Sequence, residues 1–304
     1  MPVTTTGTCS TWTAALIIAG SVLVTGCRPV SGPSSPGRPV TVKADAELAS
    51  VLPAHLKKSG TLTIATDASY APMEYKEPDG SIVGVDVDLG KAIAGKLGLR
   101  ARFQDAKFDG IIGGIQAGKY DMSMSSFTAT KEREKSVDMV TYFSAGLAVA
   151  VNKGNPKGID PDRLCGVKVA VQTGSVSADD IKDRRNPECA AHHRPAIPGD
   201  GHRFELQTDV TTALVAGRDD AMISDSSVVA YAVKQSRGRI EQLGTAYAVD
   251  PSGIVVPKGD GRLTEAVQRA VQSLIDDGTY TRILTRWGVR SGAVAHADVN
   301  AAAH

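Results

Sequence analysis

The sequence has no excess of charge: 34 Lys and Arg stand against 33 Asp and Glu, a formal net charge of +1 at pH 7. No stretch concentrates the basic residues, so the electrostatic footprint that holds nucleic acid is missing and a nucleic-acid partner is excluded. Beyond the N-terminus no apolar run reaches the roughly 20 residues that a membrane-spanning helix needs. Cysteine is scarce, four residues in 304, at positions 9, 27, 165 and 189. The first 26 residues contain no Lys, Arg, Asp or Glu, yet they hold an apolar run at 14–24. That run is too short to cross a bilayer and suits the apolar region of a signal peptide, about 7–15 residues. It also lacks the Lys or Arg that normally precedes such a region, which an upstream start codon would supply.

The run leads into Val24-Thr25-Gly26-Cys27, which resembles the lipobox of bacterial lipoproteins. The resemblance implies cleavage before Cys27 and diacylation of its thiol, and two acyl chains anchor stably where one binds only marginally. Residues 1–26 are therefore expected as a signal peptide. Residues 27–45, opening with a Pro, Ser and Gly-rich stretch that cannot bury enough apolar surface to fold, are expected as a flexible tether. With Cys9 removed and Cys27 lipidated, Cys165 and Cys189 remain, and outside the cytoplasm such a pair is expected as a disulfide. Closing that loop contributes about 3.5 kcal/mol in the chain-entropy treatment. A metal site with His192, His193 and His202 is the alternative, but the spacing fits no standard zinc pattern.

Short apolar or β-branched runs alternate with helical periodicity, which predicts an α/β architecture. Strands are expected at 62–66, 101–104, 122–125, 167–171 and 221–224. Between them Leu89, Ala92, Ile93 and Leu97 recur at helical spacing, as do Ile111, Ile112 and Ile115. A helix at 210–216 is expected behind an Asp209 cap. Val267, Val271 and Leu274 mark a late helix stopped by Gly278, and Ile283, Leu284 and Trp287 a final one. Two apolar segments, 147–151 and 253–256, join these blocks. If both cross, lobe 1 comprises 46–146 plus 254–290, lobe 2 comprises 147–253, and 291–304 is a disordered tail. Two crossing strands make a hinge over a cleft.

Polar side chains fall where strands end: Asp67, Ser125, Gln172 to Ser175, and Asp225. In open α/β sheets ligands bind outside the carboxyl ends of strands, so two lobes meeting over one small polar ligand are expected. At these points the chain resembles the family 3 solute-binding proteins of polar amino acid ABC importers. The likeness rests on Ile64-Ala65-Thr66-Asp67-Ala68-Ser69-Tyr70-Ala71-Pro72, Gly84-Val85-Asp86-Val87-Asp88-Leu89 and Phe108-Asp109-Gly110-Ile111-Ile112. It continues through Ser125-Ser126-Phe127-Thr128 to Lys131-Glu132-Arg133, then Val171-Gln172-Thr173-Gly174-Ser175, Ser224-Asp225 and Trp287-Gly288. It covers nearly all of residues 60–290, and implies a type II periplasmic-binding-protein fold of two α/β lobes joined by a two-strand hinge.

The resemblance also implies the contacts. Arg133 matches the bidentate partner of a ligand α-carboxylate, which suits a planar guanidinium. Thr128 matches a hydroxyl donor to the same group, and Ser126 and Val176 match backbone N–H donors, the latter beside Ser175. Ser125 and Asp225 match the groups that receive an α-ammonium, Tyr70 and Phe108 the aromatic pair around the side chain, and Asp67 and Gln172 the contacts at its distal end. A carboxylate at Asp67 favours a basic or amide side chain over an acidic one. The expected molecule is a monomeric, exported, lipid-anchored binding component, with an amino acid and the importer's membrane subunits as partners. No catalytic residue, metal or cofactor is expected. The rival reading is a dehydratase on the same fold, or a free-standing ligand presenter for a receptor. If the lipobox reading holds, Cys27→Ser moves the exported protein from the membrane fraction to the soluble fraction on ultracentrifugation; an unchanged membrane share would refute it.

Overall fold

The computed structural model describes residues 42–303. The expected signal peptide, Cys27 and the tether up to residue 41 lie outside the described residues. The strands are β1 (Thr61–Thr66), β2 (Ser69–Tyr70), β3 (Glu74–Lys76), β4 (Ile82–Val83), β5 (Arg100–Asp105), β6 (Met122–Ser123) and β7 (Val137–Asn152). They continue with β8 (Val169–Gln172), β9 (His202–Phe204), β10 (Ala221–Asp225) and β11 (Ile240–Pro257). Eight form one sheet in the order β5-β1-β6-β11-β7-β10-β8-β9, and β2, β3 and β4 form a small antiparallel sheet.

Two groups of parallel strands flank the central antiparallel pair: β5, β1 and β6 on one side, β10, β8 and β9 on the other. A strand covered on both faces is buried along its length rather than alternately, and β10 is buried at all five positions, apolar at the first three and polar where it ends at the cleft. Helices Val85–Lys96, Gly261–Asp276 and Thr279–Trp287 pack on the β1 side around Leu62, Ile64, Ile93, Val267 and Ile283. Helix Gly261–Asp276 buries Leu263, Val267, Val271 and Leu274, one stripe of a 3.6-residue period. Its start is fixed by Asp260, whose side chain accepts the Leu263 N–H at 3.1 Å, a cap that stabilises by about 1 kcal/mol. Around β10, Val210, Leu214 and Val229 come from helices Gln207–Val215 and Ser226–Gln235.

β7 and β11, 16 and 18 residues long, pair with each other and run from one group of strands to the other. β7 reaches β10 through residues 147–151, and β11 reaches β6 through Val255. Their ladder slips between Leu243 and Tyr247, between Tyr247 and Asp250, and between Ser252 and Gly253. Such irregularities leave residues unpaired and bend the strand. The expected crossing segments are thus parts of longer strands, whose polar middle carried no apolar signal.

Three expectations need correction. The tail is not disordered: it meets β7 at Gly292 and again at residues 298–300. Thr141 N–H donates to Asp298 O at 2.9 Å, Asn300 N–H to Met139 O at 2.8 Å, and Met139 N–H to the Asn300 side chain at 2.9 Å. Gly292 sits so close to the Phe143 ring that a Cβ there would come within 2.1 Å of Cζ. The small, polar composition that suggested fraying is what lets this segment approach an edge so closely. Second, helix Gln207–Val215 is capped at Leu206, with Asp209 inside its first turn, where a carboxylate favours the helix dipole instead. Third, the end of the tether is pinned, since Asp45 caps helix Ala46–Ser50 and its N–H reaches Lys96 O at 2.8 Å.

Cys165 and Cys189 are disulfide-bonded, with Cα atoms 5.6 Å apart, tying the loop before β8 to helix Asn186–Ala191. His202, weighed as a metal ligand, has Nδ1 3.0 Å from Asp219. Among the described residues no helix is long and apolar enough to cross a membrane. Truncation before Ser291 removes the tail's hydrogen bonds to β7 together with those that Val294, Ala297 and Ala302 N–H make to Tyr280, Gln272 and Glu134, and uncovers Phe143. It is expected to destabilise the protein by about 3 kcal/mol or more. A lower urea midpoint with an unchanged slope would show it, whereas an unchanged midpoint would mean the tail contributes nothing.

Candidate functional site

The chain places a tight cavity between the two groups of strands, with a volume of about 10 Å³, room for about one water. Its wall is made by Tyr70, Phe108, Ser125, Ser126, Thr128, Arg133, Gln172, Ser175, Val176, Ser177 and Asp225. Every expected ligand-binding residue except Asp67 is on this wall. Ser177 was not foreseen; it comes after Val176 in the first helical turn, where N–H groups have no partner within the helix. That turn is capped by Ser175, whose side chain accepts the Ala178 N–H at 3.3 Å.

Arg133 extends from helix Lys131–Ser136, whose N-cap Thr130 side chain accepts the Arg133 N–H at 3.2 Å. Its guanidinium lies 5.1 Å from the centroid of Phe127 and 5.8 Å from that of Phe108. These two rings stack 4.2 Å apart, so the cation rests on an aromatic platform. One Nη donates to Thr128 O at 2.8 Å and the other to Gly174 O at 3.1 Å, across the cleft. Gly174 has φ +75, and a Cβ would stand 3.0 Å from that of Asp109, so glycine is needed for this approach. Burial pulls the Arg133 pKa below its ordinary value, with Asp179 and Asp225 acting the other way.

Asp225 ends β10 and begins helix Ser226–Gln235, yet its side chain makes no cap hydrogen bond. A capping role is therefore excluded, and the carboxylate stays available at the wall. Burial pushes its pKa up to about 6, offset in part by the Tyr70 hydroxyl and by Arg133. Arg133 and Asp225 form no ion pair with each other among the described residues; the arginine donates to carbonyls instead. The Tyr70 hydroxyl accepts from Ser224 Oγ at 3.1 Å and from Asp225 N–H at 3.3 Å, fixing the ring across the cleft.

Asp67 is buried, 1 % exposed, behind the wall. Its Oδ2 accepts the Phe108 N–H at 3.2 Å and Gln172 Nε2 at 2.8 Å, while Oδ1 is buried without a donor among the described residues. Burial raises its pKa. Gln172 thus stands between Asp67 and the cavity, which explains why Asp67 is absent from the wall. Ser126 also differs from expectation: its N–H is spent on Asp86 Oδ2 at 3.0 Å. Its φ of +48 turns that N–H inward. The Ser125 hydroxyl likewise points inward, accepting from Asp67 N–H at 2.9 Å and donating to Glu74 at 2.8 Å.

Further bonds cross the cleft. Gln207 N–H donates to Ser69 Oγ at 3.0 Å, and Lys107 pairs with Glu205 at 2.6 Å. The arrangement is a closed, polar chamber with a cation at one side, a carboxylate at another and aromatic walls between.

Residues 62–290 match the family described as bacterial extracellular solute-binding proteins, family 3. An arginine-binding protein of Corynebacterium glutamicum is 36% identical over 254 residues, 84% of this chain and 83% of that protein. Among solved structures, an ancestral arginine-binding protein bound to arginine is similar at a TM-score of 0.68 and 36% identity, covering 75% of this chain and 98% of that one. An ancestral amino acid-binding protein, a precursor of cyclohexadienyl dehydratase, is similar at a TM-score of 0.68 and 34% identity, covering 77% of this chain and 97% of that one.

The raised pKa of Asp225 has a consequence for stability. Between the ordinary carboxylate value near 3.8 and about 6, the folded protein binds a proton that the unfolded chain releases. Stability is therefore lost as pH rises through that window and the loss is complete above it. Asp225→Asn removes the penalty and is expected to stabilise the empty protein by on the order of 2 kcal/mol above pH 6 and by nothing below pH 4. Thermal melts of both proteins across pH 3.5–7.5 test this, and a variant less stable than the parent at pH 7 would contradict it.

Proposed function

The chain belongs to the bacterial extracellular solute-binding proteins, family 3, and we propose that it captures a free L-α-amino acid by lobe closure and delivers it to the membrane subunits of an ABC importer. The observation that carries this reading is the pair of opposite charges, Arg133 and Asp225, on the wall of one closed cavity without pairing to each other. An α-amino acid is the small molecule whose own two charges complement them.

In this reading lobe 1 is 46–146 plus 254–290, lobe 2 is 147–253, and β7 and β11 form the hinge. Arg133, the Thr128 hydroxyl and the first-turn N–H groups of Val176 and Ser177 receive the carboxylate. Asp225 takes the ammonium, with the inward-turned Ser125 and Ser126 contributing main-chain and shape contacts. Tyr70 and Phe108 flank the side chain. Gln172 meets its distal end, with Asp67 behind it as the counter-charge for a cationic or amide group that displaces the Gln172 contact. Closure excludes water, so each of these charge pairs acts at lower dielectric.

The site is read as binding rather than catalytic. A general acid or base must reach the reacting atom. Asp67 is buried behind Gln172 and spent on it and on the Phe108 N–H, which leaves Asp225, the partner of the ligand ammonium in this reading. The protein is further proposed to work as a monomer tethered to the membrane through lipid at Cys27.

Removing one partner of a buried charge pair costs roughly 3–5 kcal/mol, or about two to four decades of affinity. Arg133→Ala is accordingly expected to lose L-arginine binding in calorimetry while keeping its circular dichroism, and undiminished binding would refute the carboxylate assignment. In competition, L-arginine, L-lysine or L-glutamine is expected to outbind L-glutamate and L-aspartate; the reverse order would overturn the side-chain reading alone.

A further inference from the structure

Two carboxyl groups beneath the site have no role in the capture just described. Glu74 on β3 and Asp86 in the first turn of helix Val85–Lys96 are both 0 % exposed. Glu74 Oε1 accepts from the Ser125 hydroxyl at 2.8 Å. Asp86 Oδ2 accepts from the Tyr142 hydroxyl at 2.7 Å and from the Ser126 N–H at 3.0 Å. The remaining oxygens, Glu74 Oε2 and Asp86 Oδ1, are buried with no hydrogen-bond partner among the described residues. The two carboxyl groups are neighbours: Asp86 N–H donates to Met73 O at 2.9 Å, one residue before Glu74, and both side chains reach the Ser125–Ser126 turn.

Among the described residues no cation balances them. After burial, the largest influences on Glu74 are Asp86 and Ser125 and on Asp86 the Tyr142 hydroxyl and the Ser126 N–H, and no Lys, Arg or His among the described residues lies within ion-pair distance of either. Asp86 in turn raises the pKa of Asp225, while Arg133 is felt at Asp225. Two ionised carboxylates cannot sit in contact in such a place, and a shared proton is the usual resolution. Asp86, with two good donors on one oxygen, suits the ionised form, and Glu74 suits the acid.

We propose that Glu74 and Asp86 share a single proton, hold the Ser125–Ser126 turn in its inward conformation, and leave one buried negative charge behind the ammonium end of the cleft. The role of that charge rests on the reading of the cleft as an α-amino-acid site. Both are positioning residues, since neither lies on the cavity wall. Ser125 passes the constraint on to Asp67 through the Asp67 N–H, and Ser126 holds its left-handed φ by giving its N–H to Asp86. Burial raises Glu74 well above the usual carboxylate range and pushes Asp86 up to about 6, in line with this assignment.

Infrared spectroscopy and calorimetry separate the parts of the proposal. The purified protein at pH 7 is expected to show the carbonyl stretch of a protonated carboxyl that disappears in Glu74→Gln and persists in Asp225→Asn. Absence of a band that Glu74→Gln removes would overturn the shared proton, whatever the protein binds. With L-arginine as the probe, Glu74→Gln is expected to bind within about threefold of the parent, because the amide oxygen still accepts from the Ser125 hydroxyl. The double variant Glu74→Gln/Asp86→Asn keeps hydrogen-bonding shape but loses the charge. It is expected to bind about tenfold more weakly or worse, as the loss of one buried unit charge behind the ammonium end requires. Parental affinity in the double variant would overturn the charge's role, and should it not fold, the infrared comparison decides the shared proton alone. If the parent does not bind L-arginine, the amino-acid reading fails while the infrared result still stands or falls by itself.

Discussion

A guanidinium and a carboxylate are held on the wall of one buried chamber without meeting each other. That constraint organises the rest of the molecule. Arg133 must be carried on Phe108 and Phe127 and steadied by the carbonyls of Thr128 and Gly174, because a desolvated cation needs acceptors. Asp225 must sit at a strand end with its carboxylate uncommitted to the helix it precedes. Gly174 must be glycine so that the backbone can cross the cleft to Arg133. Holding opposite charges apart in a low dielectric is costly, and a zwitterion entering between them relieves the cost at both ends.

Much of this was legible in the sequence because strand ends and their polar residues carry local signals. β1 alternates threonine with Leu62 and Ile64 and β10 opens on Ala221-Met222-Ile223, each closed by an aspartate at or just past its end, and the late helix Gly261–Asp276 keeps a 3.6-residue period through Val267, Val271 and Leu274. Arg133 in isolation reads as one charge in a charged helix; only Ser125 to Thr128 ahead of it suggested a site.

The illegible parts depended on long-range pairing. The crossing strands are far longer than their apolar cores, since residues 244–250 are held by the partner strand and by bulges rather than by hydrophobic pattern. The tail was unreadable for the same reason: its order comes from backbone hydrogen bonds to β7, which composition does not encode. Asp86 looked like an ordinary acidic residue at a helix start. Its burial under Tyr142 and Ser126, and its contact with Glu74 from a separate sheet, arise when three distant segments converge. The Ser126 N–H was misassigned because its left-handed φ, imposed by that same carboxylate, reverses where it points.

A cleft that recognises both charges of an α-amino acid must draw most of its affinity from the α-carboxylate. The most direct test is calorimetric titration of the unaltered protein with L-arginine and with agmatine, which is arginine without its α-carboxylate. Saturable one-to-one binding of L-arginine is expected, with most of that affinity lost for agmatine. Equal binding of the two compounds, with the carboxylate making no difference, would contradict it.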